Sequence, residues 1–108
     1  LYYRKDLLAQ AGVENADAWQ PTTWEEILEA ARAVKAAMPD SAPLQINAGT
    51  AMGEATTMQG YYPLLLGAGH FLTDDEGRWI VRSEGILDTL EFYQTVYLDE
   101  ELGDARLQ

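Results

Sequence analysis

Five residues close together in the chain, Glu54, Thr57, Gln59, Tyr61 and Tyr62, carry a carboxylate, a hydroxyl, a side-chain amide and two phenols. They lie on or just before the stretch MQGYYPLLLGAG, Met58 to Gly69. Their surroundings are unusual. Between Ser41 and Thr73 the only formally charged side chain is Glu54, in a chain with seven basic and 18 acidic residues. Amides, hydroxyls and carboxylates exchange hydrogen bonds with hydroxyl groups, and phenol rings offer flat apolar plates. Such a set suits non-covalent capture of an uncharged polyol better than capture of a phosphate or a dipeptide. A free helix N-terminus at Gly53–Ala55 adds backbone amides for a ligand oxygen. Plainer readings stand beside this one. Tyr62 shares a helical face with Met58 and Leu65 and fits core packing, and Glu54 at a helix start complements the helix dipole. Tyr61 falls on the neighbouring sector with Glu54, Thr57 and Leu64 and is the better ligand candidate.

The rest of the chain offers little other chemistry. His70, the only histidine, has no nameable partner for acid–base work and reads as structural. TDDEG at 73–77 lacks the alternating ligands of a calcium loop and reads as a solvated turn. Asp99, Glu100 and Glu101 read as a solvated charge run. Without cysteine there is no disulfide, thiol nucleophile or zinc–thiolate site. Phosphate loops, nucleophile elbows and metal motifs are missing, so no catalytic residue, metal or cofactor is expected. A net charge of −11 leaves nothing to neutralise a row of phosphates, which argues against nucleic acid and disfavours anionic membranes. The uncharged run from Ala55 to Thr73 is broken by Gln59, Pro63 and glycines and does not read as a membrane span. The opening LYYRKD does not read as a secretion signal, and an apolar strand at the very start fits a piece of a longer chain.

With 108 residues there is room for one core, and residues 1–108 read as a single domain. LYY reads as a strand end, followed by a short helix near Lys5 to Gln10. PTTWEEILEAARAVKAAM is the clearest helix, with Thr23 as cap and Glu26 completing a capping box. Trp24, Ile27, Leu28, Ala31, Val34 and Met38 give it one apolar face. PLQIN, 43–47, alternates as a short strand. A helix is predicted from Glu54 to Leu66, kinked near Pro63, which has no amide hydrogen, and stopped by Gly67 and Gly69. Phe71–Leu72 against Trp79–Val81 reads as a hairpin. Ser83 caps a last helix, Glu84 to Leu98, with Leu87, Leu90, Tyr93 and Tyr97 towards the core, and residues 99–108 form a polar tail. The order implies a mixed α/β chain with more helix than sheet.

Taken in order, these pieces resemble one family. LYYRKDLLAQAG is similar to the LYYNKDLF..AG element of the extracellular solute-binding proteins of ABC importers, the family-1, maltose-binding-protein-like type. PTTWEEILEAARAVKA, PLQIN, YYPLLLGAGHFLTDDEGRWIV and SEGILDTLEFYQTVY resemble the elements that follow, across nearly the whole chain. Arg4 stands where the family has asparagine, near the hinge. The resemblance implies an α/β chain that is part of one lobe of a periplasmic-binding-protein-like type II fold, helix-rich with short strands. Residues 1–108 would be a partial second lobe of a two-lobe protein, and Asn47 through Tyr61 would face the cleft. It implies a substrate-binding component that captures a neutral mono- or oligosaccharide by cleft closure and delivers it to an ABC transporter permease. The location would be extracellular or periplasmic, with a lipid anchor on the full-length parent as one form.

Two other classes remain. A carbohydrate-active enzyme would need paired carboxylates, and only Glu54 lies in the neutral segment. A helical interaction module would show an exposed apolar stripe on the 84–98 helix. A partial lobe also leaves core surface bare, so the piece alone is expected to self-associate and to bind ligand weakly at most.

Overall fold

The computed structural model describes residues 1–51 and 53–107. Helix α1 is Lys5–Gln10 and α2 is Trp24–Ala37, with a 3-10 turn at Ala16–Ala18 between them. Thr23 caps α2 by accepting from the Glu26 amide at 3.2 Å. The Glu26 carboxylate reaches back to the Thr22 amide at 2.6 Å, so the reciprocal half of the capping box is set one residue earlier than expected.

Helix α2 is buried on two sides rather than one. Leu28 and Ala31 enter a cluster with Phe92, Val96 and Leu102. Ala30 and Val34 enter a second with Leu8 and Ala16, against Tyr3, Trp19 and Met38. Small residues at 30 and 31 let neighbours approach both flanks. The result is two modest cores in a row. The radius of gyration is 15.0 Å, against about 13 Å for a compact domain of this length.

The predicted helix from Glu54 to Leu66 is broken into α3, Glu54–Thr56, a wide π turn at Thr57–Tyr61, and α4, Tyr62–Gly67. Pro63 explains the break: it has no amide hydrogen to give the Gln59 carbonyl. The chain closes the wider turn one residue earlier, with the Tyr62 amide donating to the Thr57 carbonyl. The extra residue changes which side chains face inward. Leu65 is fully buried as expected, but Met58 is 60% exposed and Leu66 is exposed too, while Gly60 turns into the interior.

Helix α5, Glu84–Gln94, is capped by Ser83, which accepts from the Ile86 amide at 3.2 Å. It runs into a second π turn at Thr95–Asp99. Its buried face differs from the expected one. Gly85, Thr89, Phe92 and Val96 are inside, Tyr93 and Tyr97 are half-buried, and Leu87 and Leu90 are 55% and 53% exposed. The cause is His70, whose ring lies over Gly85: a Cβ there would fall 2.2 Å from the His70 Cγ. This contact turns the glycine edge of α5 inward, and the buried Thr89 hydroxyl is satisfied by the Gly85 carbonyl at 2.7 Å.

The expected strands are largely missing. Leu1–Tyr3 and Pro43–Asn47 are in no sheet among the described residues, and the hairpin reduces to a single Thr73–Trp79 bridge with the Ile80 amide on the Leu72 carbonyl. Its turn is built as read: Asp74 accepts from the Glu76 and Arg78 amides, and Gly77 has a left-handed φ of 78°. The polar tail is a second correction. Leu102 is a core residue, 1% exposed. Glu100 is no free surface charge either, for its carboxylate takes two bonds from Arg32 at 2.7 and 2.8 Å, and Arg32 also reaches Glu25.

Two outcomes follow. Phe92→Ala is expected to cost about 3 kcal/mol in urea unfolding and Leu90→Ala well under about 1 kcal/mol; the reverse order would restore the sequence-predicted face. The Arg32 bonds hold the Glu100 carboxyl below its ordinary range. A depressed carboxylate stabilises fully above its unfolded value, about 4.3, and loses that contribution as pH falls through the folded value. Thermal unfolding between about pH 6 and pH 3 therefore falls more steeply for the natural chain than for Glu100→Gln, and equal slopes would rule the link out.

Candidate functional site

The site is organised by a backbone segment that lacks a sheet. The Leu44 amide donates to the Leu102 carbonyl at 2.9 Å. The Tyr97 hydroxyl accepts from the Ile46 amide at 2.9 Å and also donates to the Ile46 carbonyl. The Tyr93 hydroxyl donates to the Asn47 carbonyl at 3.1 Å. One turn apart on the last helix, two phenols thus do for Ile46 and Asn47 what a neighbouring strand would do.

The chain from Asn47 then meets the broken helix. Gly60 makes the approach possible, since a Cβ there would stand 2.3 Å from the Asn47 carbonyl oxygen and 2.6 Å from the Tyr93 hydroxyl. The Asn47 side-chain amide donates to the Gln59 side-chain oxygen at 3.1 Å. The Thr56 hydroxyl ties down the Gly49 carbonyl at 2.5 Å. Tyr61 lies with its ring centroid 6.3 Å from that of Tyr93, tilted by 31°, and Tyr93 is 6.3 Å from Tyr97, tilted by 20°. The Tyr61 hydroxyl makes a long bond of 3.5 Å to the Ile86 carbonyl.

Burial raises the Tyr61 phenol above its ordinary range. It pushes Tyr93 up to about 12, helped by the phenols of Tyr97 and Tyr61. These groups stay protonated at neutral pH. They act as donors and plates, not as bases.

Contacts link Gln59, Asn47, Tyr93 and Tyr61 in one continuous run. Tyr62 is half-buried at the start of α4. Glu54 and Thr57 are exposed on the same broken helix. Asn47 and Gly60 fall within the stretch expected to face the cleft without being named as ligand residues, and Tyr93 is expected towards the core. Their signal was there: tyrosines at 93 and 97 share one face of a helix, and a glycine lies amid bulky neighbours at 60.

A groove of about 480 Å³ lies elsewhere, between Leu1–Arg4, α1, α2 and the segment from Ser41 to Gln45. Its walls include Leu7, Leu8, Ile27, Val34 and Leu44. A polyol there would lose water from its hydroxyls and gain few partners, so the groove is the poorer sugar site despite its size. Among the described residues no group of three acidic or histidine side chains could hold a metal, and no helix is long and apolar enough to cross a membrane.

The arrangement sets side-chain amides and protonated phenols near one another at a loop–helix junction, groups that can hydrogen-bond a polar small molecule. The profile of the bacterial extracellular solute-binding proteins matches residues 1–106, and the chain belongs to that family. Its members are the solute-binding components of ABC transporters, work outside the cytoplasm and are generally not enzymes. The family has a periplasmic-binding-protein-like fold, and this chain is helix-rich with almost no strand among its described residues. No curated protein and no solved structure matched the chain.

The close approach at Gly60 gives a direct test. Gly60→Ala forces the Asn47 peptide away and is expected to cost about 1–3 kcal/mol in denaturant unfolding. Gly67→Ala, with open space around the added carbon, is expected to be neutral or stabilising by up to about 1 kcal/mol. Equal effects would mean that the Asn47–Gly60 contact is not made in solution.

Proposed function

We propose that the chain is part of the second lobe of a two-lobe protein that captures a neutral mono- or oligosaccharide for an ABC importer. The surface from Asn47 to Tyr62 is its share of the cleft. The observation that carries this is the pairing of the Asn47 and Gln59 side chains at 3.1 Å, with Asn47 joined through Tyr93 to the Tyr61 ring, on a stretch whose one formal charge is Glu54. Sugar hydroxyls exchange hydrogen bonds with the two amides, the Thr57 hydroxyl and the Glu54 carboxylate. A pyranose face rests on Tyr61 or Tyr62. The ligand bridges this surface and the other lobe, and so favours the closed hinge state that the permease recognises. The full-length parent acts in the periplasm or outside the cell, with a lipid anchor where there is no outer membrane to retain it.

The exposure of Leu87, Leu90 and Leu98 favours a second reading, in which this helix face serves to pack on further protein. Calorimetry and thermal shift on the full-length parent separate the two, using glucose, maltose, maltotriose, sorbitol, glycerol 3-phosphate and a dipeptide. The expected result is saturable binding of one neutral sugar, weakened about tenfold by Tyr61→Ala. Binding of only the anion or the peptide would sink the neutral-sugar reading. Unchanged affinity in Tyr61→Ala would remove that residue from the cleft. Silence with every compound would favour the packing surface.

A further inference from the structure

We propose that Tyr93 is a positioning residue for this ligand surface, holding Asn47 through its hydroxyl and Tyr61 through its ring; the inference rests on the sugar-binding reading of that surface. Tyr93 meets Asn47 and Tyr61 directly and, through Asn47, is linked to Gln59. Its hydroxyl donates to the Asn47 carbonyl at 3.1 Å. Its ring neighbours Tyr61 on one side and Tyr97 on the other, each at 6.3 Å. Its hydroxyl also lies where a Cβ on Gly60 would be, 2.6 Å away.

The mechanical reason is the difference between the two supports. Tyr93 stands on α5, anchored by the buried Phe92 and Val96 on either side of it in the chain. Asn47 stands on a segment with no strand beside it. A ligand-binding side chain on a loop is only as well placed as the group that fixes its peptide plane. The Tyr93 hydroxyl fixes that plane at the carbonyl. The Asn47 side chain is then held against Gln59 at 3.1 Å. Without the hydroxyl, the Asn47 carbonyl loses that bond and the peptide that follows can tilt, which shifts the Asn47 side chain against Gln59. Tyr97 provides the control. It makes the same kind of bond one residue earlier, at Ile46.

The test compares Tyr93→Phe, Tyr97→Phe and Tyr61→Ala in the full-length parent, against the glucose, maltose, maltotriose and sorbitol panel by calorimetry, with thermal unfolding alongside. Tyr93→Phe keeps the ring and removes only the hydroxyl. It is expected to weaken the bound sugar about tenfold. Tyr97→Phe, with a melting temperature within about 2 °C of the Tyr93→Phe value, is expected to leave affinity within about twofold. Equal weakening by both, in step with lost stability, would make Tyr93 merely structural and overturn the proposal. Weakening by Tyr61→Ala but not by Tyr93→Phe would overturn it while leaving the ligand surface standing. No binding, or no effect of Tyr61→Ala, would remove the surface itself and the Tyr93 role with it.

Discussion

The backbone of Leu44–Asn47 has to find hydrogen-bond partners without a sheet, and the half of the chain that carries the candidate site is arranged around the answer. A buried peptide group left unpaired costs about 1–3 kcal/mol, so the segment cannot simply lie against the helices. Phenols solve the problem because a hydroxyl both donates and accepts. Tyr97 uses both capacities on the single residue Ile46. Tyr93 uses its proton on Asn47. Once those bonds fix the segment, its distance from the broken helix is fixed too, and only glycine fits at position 60.

The same economy shapes the cores. Helix α2 sends Leu28 and Ala31 one way and Ala30 and Val34 the other, so it is a partition between two clusters. Arg32 ties this helix to the end of the chain, spanning from Glu25 on α2 to Glu100 beyond the second π turn. Two π turns, at Thr57–Tyr61 and Thr95–Asp99, lie at either end of the tyrosine ladder. Each carries one member of the ladder, Tyr61 and Tyr97, while Tyr93 sits between them on regular helix. A wide turn re-aims side chains by inserting a residue, and here it points Tyr61 at Tyr93 while leaving Thr57 and Gln59 in solvent.

Local signals were legible where one interaction decides the outcome. Thr23 and Ser83 cap the two long helices as their sequence contexts require, and the DDEG turn forms around Asp74. The order of elements was legible as well, and with it the family. What failed were inferences that assumed an undisturbed period. Met58 was expected inside with Leu65, but the wide turn forced by Pro63 shifts the register between them. Leu87 and Leu90 were expected inside because leucine is apolar, but the tight fit of His70 over Gly85 chooses another edge of α5. PLQIN has the alternation of a strand and does run beside other backbone at Leu102, yet side chains supply its remaining partners. A sequence names the donors; it does not say that two tyrosines 46 and 51 residues later will be aimed at them.

The lack of charge from Ser41 to Thr73 falls on half-buried and exposed positions alike. Part of it protects the bonds that Tyr93 and Tyr97 make to Asn47 and Ile46. A lysine near the Ile46 and Asn47 carbonyls would compete for them, as Lys35 already takes the Ser41 carbonyl at 2.7 Å, and a carboxylate would repel them. That argument covers the half-buried positions, including Ile46, Asn47 and Tyr61. It does not reach the exposed ones. Thr57, Met58, Gln59 and Pro63 face solvent, where a lysine or glutamate would cost little and where the rest of this acidic chain places charge freely. Stability gives no reason for those positions to be neutral. On the proposed reading these positions meet an uncharged ligand, with Glu54 the one carboxylate offered to its hydroxyls.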